Sequence, residues 1–271
     1  MKGLKIILVS TYIIIIILLL LSLKKCNGQS TSSRSEEEST TAKEKTETVK
    51  VNPEPPKKET VKIREKFNAD VVLCIDCTGS MSSLIGTIKK NALNFYPDVK
   101  KRCESQGKEI LSMRIKVIGF RDITDDVPFE VSEFFRIPEQ EENFKSFVSN
   151  LRNIGGGDDP ERAYDAISLA LLSNWSTLKD ARKVIILWTD AASHPLSGRI
   201  PEARNFKEMT ELWNTRLRGN NKRLILFSPS GPTWKVIESK WNNTTRHDVT
   251  VGGGLTDVDY DEILKTLSES I

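Results

Sequence analysis

The segment ADVVLCIDCTGSM, residues 69–81, decides the fold class. It opens on an apolar run, which is typical of a strand buried on both faces of a sheet, and it changes at Asp76 into a polar loop. Three later apolar runs have the same character, at 114–120, 183–188 and 223–227. Because helical patterns separate these runs, the sequence predicts an α/β fold with a doubly wound, mainly parallel sheet and helices on both faces.

The intervening stretches place apolar residues at helical spacing and predict helices within 81–103, 141–151, 161–172 and 206–217. We interpret the first as one helix of roughly 34 Å, from about Ser80 to Cys103. An alternating pattern over 128–137 predicts one antiparallel edge strand. A short strand near Asp248–Val251 and a last helix from about Val258 complete the expected fold.

The first 28 residues indicate export. A short basic segment precedes an aliphatic stretch over 6–23, which rises roughly 27 Å as a helix, close to the thickness of a bilayer core. The small residues Cys26 and Gly28 suit cleavage before Gln29. A cleaved signal peptide, an uncleaved membrane anchor over 6–23 and a lipid-modified Cys26 are the alternatives. Each of them predicts a secreted, extracytoplasmic or membrane-anchored protein.

Residues 29–66 form the expected linker. They are rich in Ser, Thr, Glu and Lys, contain a proline cluster at 53–56, and hold only scattered aliphatic residues. Such a composition buries too little apolar surface to offset the entropy of ordering, so we expect a disordered spacer. The remaining segment, 67–271, is long enough for one domain with a well-buried core.

The composition narrows the classes of function. The net charge of +3 belongs to the leader, because the leader carries four lysines and no acid, which leaves 36 basic against 37 acidic residues elsewhere. The charge therefore gives no support to nucleic-acid binding. His194 and His247 are too far apart in the sequence to indicate a zinc site. The long first helix would also separate Cys77 from Cys103 by more than a disulfide can span.

Oxygen-bearing side chains follow each of the first three predicted strands. Because the carboxyl ends of parallel strands meet at one edge of a sheet, we expect side chains from these separate loops to converge. Carboxylates that converge repel each other unless a proton or a cation lies between them. Hard oxygen ligands favour Mg²⁺, Mn²⁺ or Ca²⁺ over zinc or copper. The residues concerned are Asp76, Thr78 and Ser80 after the first strand, Asp122 after the second and Asp190 after the third.

Three of these residues also have a simpler structural interpretation. Ser80 stands where it would cap the following helix, Asp190 could cap its own loop, and Asp122 could anchor the loop that carries it. Asp159 precedes a proline and is typical of a helix N-cap, which leaves Asp158 to face the site. Independent caps have no reason to share one edge of a sheet, so the sequence favours a joint site.

Four motifs, in this order and spacing, resemble a von Willebrand factor type A (VWA) domain: DVVLCIDCTGSM at 70–81, GFRD at 119–122, GGGDDPERAYDAI at 155–167 and KVIILWTDAASH at 183–194. More narrowly, they resemble the subgroup with D-x-T-G-S-M, R-D and G-G-G-D-x-P-E motifs, which also occurs in the A domains of some atypical alpha-kinases. The resemblance covers residues 69–195. It implies the doubly wound fold and a metal-ion-dependent adhesion site.

Carried over residue by residue, the resemblance implies the metal ligands Asp76, Thr78, Ser80, Asp158 and Asp190, with Asp122 as a second-tier candidate. In that family the hydroxyls usually bind the ion directly, some carboxylates act through water, and an acidic side chain of the partner completes the coordination. Thr78 replaces the common Ser and keeps its hydroxyl. Asp158 stands where adhesion domains commonly have Thr, which adds a negative charge beside the ion.

Together, the residues and the resemblance predict an exported, non-enzymatic module that binds an acidic side chain of a protein ligand through a divalent cation, Mg²⁺ or else Mn²⁺ or Ca²⁺. A metal-free structural VWA domain is the second interpretation, and a Mg²⁺-dependent phosphotransferase is the third. The third needs a second aspartate two residues after Asp76, where this chain has Thr78. We interpret His194 as an ordinary loop residue and expect membrane contact only through an uncleaved N-terminal segment.

Overall fold

The computed structural model describes residues 64–91, 94–122, 127–155, 160–196, 198–219, 221–253, 255–256 and 260–271. The expected leader and residues 29–63 of the expected linker lie outside these ranges. Within them, no helix combines the length and the apolar character needed to cross a bilayer.

Seven strands form one sheet: β1 Glu65–Asp76, β2 Lys108–Phe120, β3 Phe129–Val131, β4 Phe135–Ile137, β5 Arg182–Trp188, β6 Lys222–Ser228 and β7 Thr244–Asp248. The order is β3-β2-β1-β5-β6-β7, and β4 also pairs with β2. The pairs formed by β1, β2, β5, β6 and β7 are all parallel, whereas β3 and β4 run antiparallel to β2. The predicted α/β fold with a mainly parallel sheet is confirmed.

The described residues contain seven α-helices: α1 Ser82–Asn91, α2 Phe95–Ser105, α3 Glu141–Asn150, α4 Ala163–Leu171, α5 Phe206–Thr215, α6 Pro232–Lys240 and α7 Tyr260–Ser270. Helices α1, α2, α3 and α7 contribute to the core on one face of the sheet, and α4, α5 and α6 to the core on the other. Because the side chains of a strand alternate, Val71 and Leu73 enter the first core and Val72 and Cys74 the second. This double burial explains the uninterrupted apolar run.

The single helix expected over about 80–103 is wrong. After a short 3₁₀ turn at Gly79–Met81, the chain forms α1 and then α2, which starts afresh at Phe95. Pro97 supplies the reason, because proline lacks an N–H and clashes with a helical carbonyl four residues earlier, so it is tolerated only in a first turn. Cys77 and Cys103 are buried free thiols in the same core.

Two strand predictions also need correction. The antiparallel edge expected over 128–137 is confirmed, but it consists of two short strands, β3 and β4. Between them the Ser132 hydroxyl, in place of a main-chain carbonyl, accepts the Val117 N–H at 2.9 Å. The last strand of the described residues is β7, Thr244–Asp248, which begins earlier than the stretch expected near Asp248–Val251. The sequence did not indicate this start because the residues of β7 are mostly polar and give no apolar signal.

Helix α6 was not predicted from the sequence. Its signals are present in retrospect: Pro232 at the first helical position, and Trp234 and Ile237 three residues apart, both buried in the second core.

Candidate metal-binding site at the carboxyl edge of the sheet

The sheet brings Asp76 and Asp190 to the same edge. Strand β1 ends at Asp76, and its neighbour β5 ends at Trp188, which pairs with Ile75. Asp190 therefore lies two residues beyond the end of the adjacent parallel strand. Both aspartate side chains are almost completely buried.

Hydrogen bonds join four of the residues predicted for the site. The Thr78 hydroxyl donates to Asp76 Oδ1 at 2.6 Å, and the Thr78 N–H donates to the same oxygen at 3.0 Å. The Ser80 hydroxyl donates to Asp190 Oδ1 at 3.1 Å, and the two hydroxyl oxygens lie 3.4 Å apart. A continuous chain of oxygen atoms thus connects the loops after β1 and β5.

Thr189 is a site residue that was not predicted from the sequence. Its hydroxyl donates to Asp76 Oδ2 at 2.7 Å, and the side chain is fully buried. The available signal was its position, since Thr189 separates the end of β5 from Asp190 and so shares the sheet edge.

Main-chain hydrogen bonds position the loop after β1. The Cys77 N–H donates to the Phe120 carbonyl at 2.8 Å, which ties the loop to the end of β2. On the other side, the Gly79 N–H donates to the Gly155 carbonyl at 3.1 Å. The loop therefore rests on backbone groups that are independent of the candidate ligands.

Burial raises the pKa of Asp76 from an ordinary value of 3.8 to about 6. The hydrogen bonds from Thr78 and Thr189 oppose this shift by favouring the charged form, and the nearby charge of Asp190 adds to it. A buried carboxylate beside a second carboxylate is stabilised by a proton or a cation.

The residues present fit a hard divalent cation. Because Thr78 and Ser80 direct their protons towards carboxylates, their oxygen lone pairs are available to a metal ion. Adjacent ligands of an octahedral Mg²⁺ lie about 3.0 Å apart and those of Ca²⁺ about 3.5 Å apart, and the two hydroxyl oxygens lie 3.4 Å apart. No three His, Cys, Asp or Glu side chains cluster as a metal site within the described ranges. Such an ion would be held by the Thr78 and Ser80 hydroxyls together with the carboxylates of Asp76 and Asp190. Asp158, the other expected ligand, lies outside the described residues.

Asp122, the second-tier candidate, is buried after the end of β2. Its Oδ1 lies 3.4 Å from Nε2 of His194. The pair links the loops after β2 and β5, so His194 has a structural contact that was not predicted from the sequence.

Three other proteins resemble this chain in sequence or structure. The alpha-protein kinase vwkA of Dictyostelium discoideum is 28% identical over 153 residues, which are 56% of this chain and 23% of that kinase. The pilus adhesin SpaC of Lactobacillus rhamnosus GG is 12% identical, with a TM-score of 0.48 over 75% of this chain and 30% of the adhesin. A von Willebrand factor type A protein from Catenulispora acidiphila is 15% identical, with a TM-score of 0.47 over 76% of this chain and 43% of that one.

A family model also matches part of the chain. The model described as von Willebrand factor A domain matches residues 70–197. This range includes Asp76, Thr78, Ser80 and Asp190, the second half of β1 from Asp70, and all of β2 and β5. Residues 70–197 are therefore similar to a von Willebrand factor A domain.

Proposed function

We propose that this VWA domain is an exported, non-enzymatic module that binds a protein partner through a divalent cation. The proposed ligands of the cation, Mg²⁺ or else Mn²⁺ or Ca²⁺, are Asp76, Thr78, Ser80, Asp158 and Asp190. An acidic side chain of the partner would complete the coordination. The observation that carries the proposal is the Ser80–Asp190 hydrogen bond, because it unites hydroxyl and carboxylate oxygens from two strand ends.

The contacts of Asp76 argue against a phosphotransferase. A nucleophilic aspartate needs an accessible carboxylate oxygen, whereas Asp76 is buried and accepts a threonine hydroxyl at each oxygen. The position two residues later holds Thr78 in place of the aspartate that such an enzyme requires. The similarity to the Dictyostelium kinase spans 23% of that protein. We use this similarity as support for the motif subgroup alone.

A metal-free structural domain is the second candidate. It is favoured by the same hydrogen bonds, since Thr78 and Thr189 already donate to both oxygens of Asp76. The two candidates differ in one measurable property: a cation that binds the folded state alone raises its stability.

Thermal unfolding of the full chain in EDTA and in Mg²⁺, Mn²⁺ or Ca²⁺ tests the proposal. At a metal concentration of about 100 times Kd, the melting temperature should rise by about 5–10 °C.

Asp190→Asn should abolish this rise. Asp70→Asn is the matched control, because Asp70 is a buried carboxylate on β1 that pairs with Arg114 instead. It should lower the melting temperature in EDTA and keep the metal-dependent rise. A wild-type chain that no cation stabilises would establish the metal-free domain.

Partner binding has its own test. The full chain should retain proteins from native secretions in Mg²⁺ and release them in EDTA. A set of retained proteins that EDTA leaves unchanged would contradict the metal-dependent mechanism.

A further inference from the structure

Three exposed aliphatic side chains lie in loops at the carboxyl edge of the sheet. The exposed fraction is 38% for Val127, 51% for Ile154 and 63% for Val251. We call these three residues the apolar rim. Single exposed aliphatic residues are ordinary on protein surfaces, so the position of these three beside the candidate site is what distinguishes them.

Two rim residues are held against the loops that carry the candidate ligands. The Ile154 N–H donates to the carbonyl of Cys77, the first residue after β1, at 3.2 Å. Val251 precedes Gly252, whose N–H donates to the carbonyl of Asp190 at 2.9 Å. Main-chain hydrogen bonds therefore anchor the backbone at Ile154 beside the loop after β1, and the backbone next to Val251 beside the loop after β5.

Two arginines that share one carboxylate lie beside the third rim residue. The carbonyl of Val127 accepts a hydrogen bond from Arg121 Nη1 at 3.0 Å. Arg121 and Arg152 both donate to Oε1 of Glu130 at 2.9 Å, so two cations share one carboxylate. Arg152 is half exposed and stands two residues before Ile154. The half-exposed guanidinium of Arg152 therefore offers a positive charge to an acidic partner.

We propose that the apolar rim and Arg152 select a partner segment in which the acidic residue has an aliphatic or aromatic neighbour. The proposal rests on the proposed function, since the acidic residue binds through the cation. The apolar neighbour covers the rim and removes its surface from water. A polar neighbour would lose its own water against Ile154 or Val251 without gaining a hydrogen bond, which is how the rim discriminates.

A library of random peptides, displayed on phage and selected on the full chain, tests this proposal. Selection in Mg²⁺ should enrich peptides with an Asp or Glu next to an aliphatic or aromatic residue, and selection in EDTA should not. The strongest peptide should bind Ile154→Ser/Val251→Ser about tenfold more weakly than wild type. Leu111→Ser/Leu178→Ser is the matched control: both leucines are 53% exposed and lie towards the opposite edge of the sheet, and this variant should bind like wild type.

The outcomes separate this inference from the function on which it rests. Mg²⁺-dependent peptides that are acidic but show no preference for apolar neighbours would overturn the selection by the rim and support the metal-dependent function. Equal binding by the Ile154→Ser/Val251→Ser variant, with its metal-dependent rise in melting temperature retained, would do the same. Selection that enriches no acidic peptide in Mg²⁺ would overturn both.

Discussion

Thr189 donates its hydroxyl hydrogen to Oδ2 of Asp76 at 2.7 Å and so joins the end of β5 to the end of β1. The other oxygen of that carboxylate, Oδ1, accepts the Thr78 hydroxyl at 2.6 Å. Two threonines from different strand ends thus fix the orientation of one buried carboxylate. The site is held in place by the sheet topology, because β1 and β5 are neighbours in space and distant in sequence.

Thr189→Val removes this bond at nearly constant side-chain volume. It leaves a buried carboxylate oxygen with one donor fewer, so the free energy of unfolding in EDTA should fall by about 1–3 kcal/mol in urea titrations. Thr215→Val is the matched control, because that hydroxyl bonds the Glu211 carbonyl on an exposed surface. Its effect should stay within about 0.5 kcal/mol. Equal losses in the two variants would contradict the role assigned to Thr189.

Stability should depend on pH through Asp76. Burial raises the pKa of this carboxyl to about 6, so between about pH 4 and pH 6 the folded chain keeps a proton that the unfolded chain has released. The contribution of Asp76 to the free energy of unfolding therefore decreases as pH rises through this window, by roughly 3 kcal/mol. Urea titrations in EDTA should show this decrease in wild type relative to Asp76→Asn. A difference between the two that is constant from pH 4 to pH 7 would refute the shift.

Gly119→Ala should destabilise the support of the site. A Cβ at this position of β2 would lie 3.0 Å from Cys77 Sγ and 3.1 Å from Leu151 Cδ2, and both side chains are buried. We expect a loss of about 1–3 kcal/mol in the free energy of unfolding. Gly86→Ala is the opposite case: no atom lies within 4 Å of its Cβ, in the exposed middle of α1. That change should stabilise the chain by about 0.5–1 kcal/mol. Urea titrations that give changes of the same sign in both variants would show that the space around Cβ does not decide the effect.

Asp158→Thr should change the two binding properties in opposite directions. Removing a negative charge from beside the cation should weaken Mg²⁺ binding, and the larger residual positive charge should strengthen binding of an acidic peptide. Calorimetric titration with Mg²⁺, followed by titration of the loaded chain with peptide, measures both. Unchanged affinities for both Mg²⁺ and the acidic peptide would contradict this prediction.

Some local features could be predicted from the sequence because they depend on neighbouring residues alone. The apolar run of β1 and the change to polar residues at Asp76 identify a buried strand and its end. Other features could not. The helical spacing over 81–103 continued across Pro97, whose effect on the preceding turn divided the segment into α1 and α2. Strand β7 is mostly polar, so its composition gives no strand signal, and its pairing with β6 is what defines it.

The sequence by itself determined the alternation of buried strands and helices, and with it a mainly parallel sheet whose carboxyl edge collects the polar loops after β1, β2 and β5. Only the tertiary structure decided which atoms meet there: Ser80 with Asp190, Thr189 with Asp76, and Asp122 with His194. The physical reason is that hydrophobic periodicity sets the type of each element locally. Contacts across the edge depend instead on which strands become neighbours and on the register in which they pair.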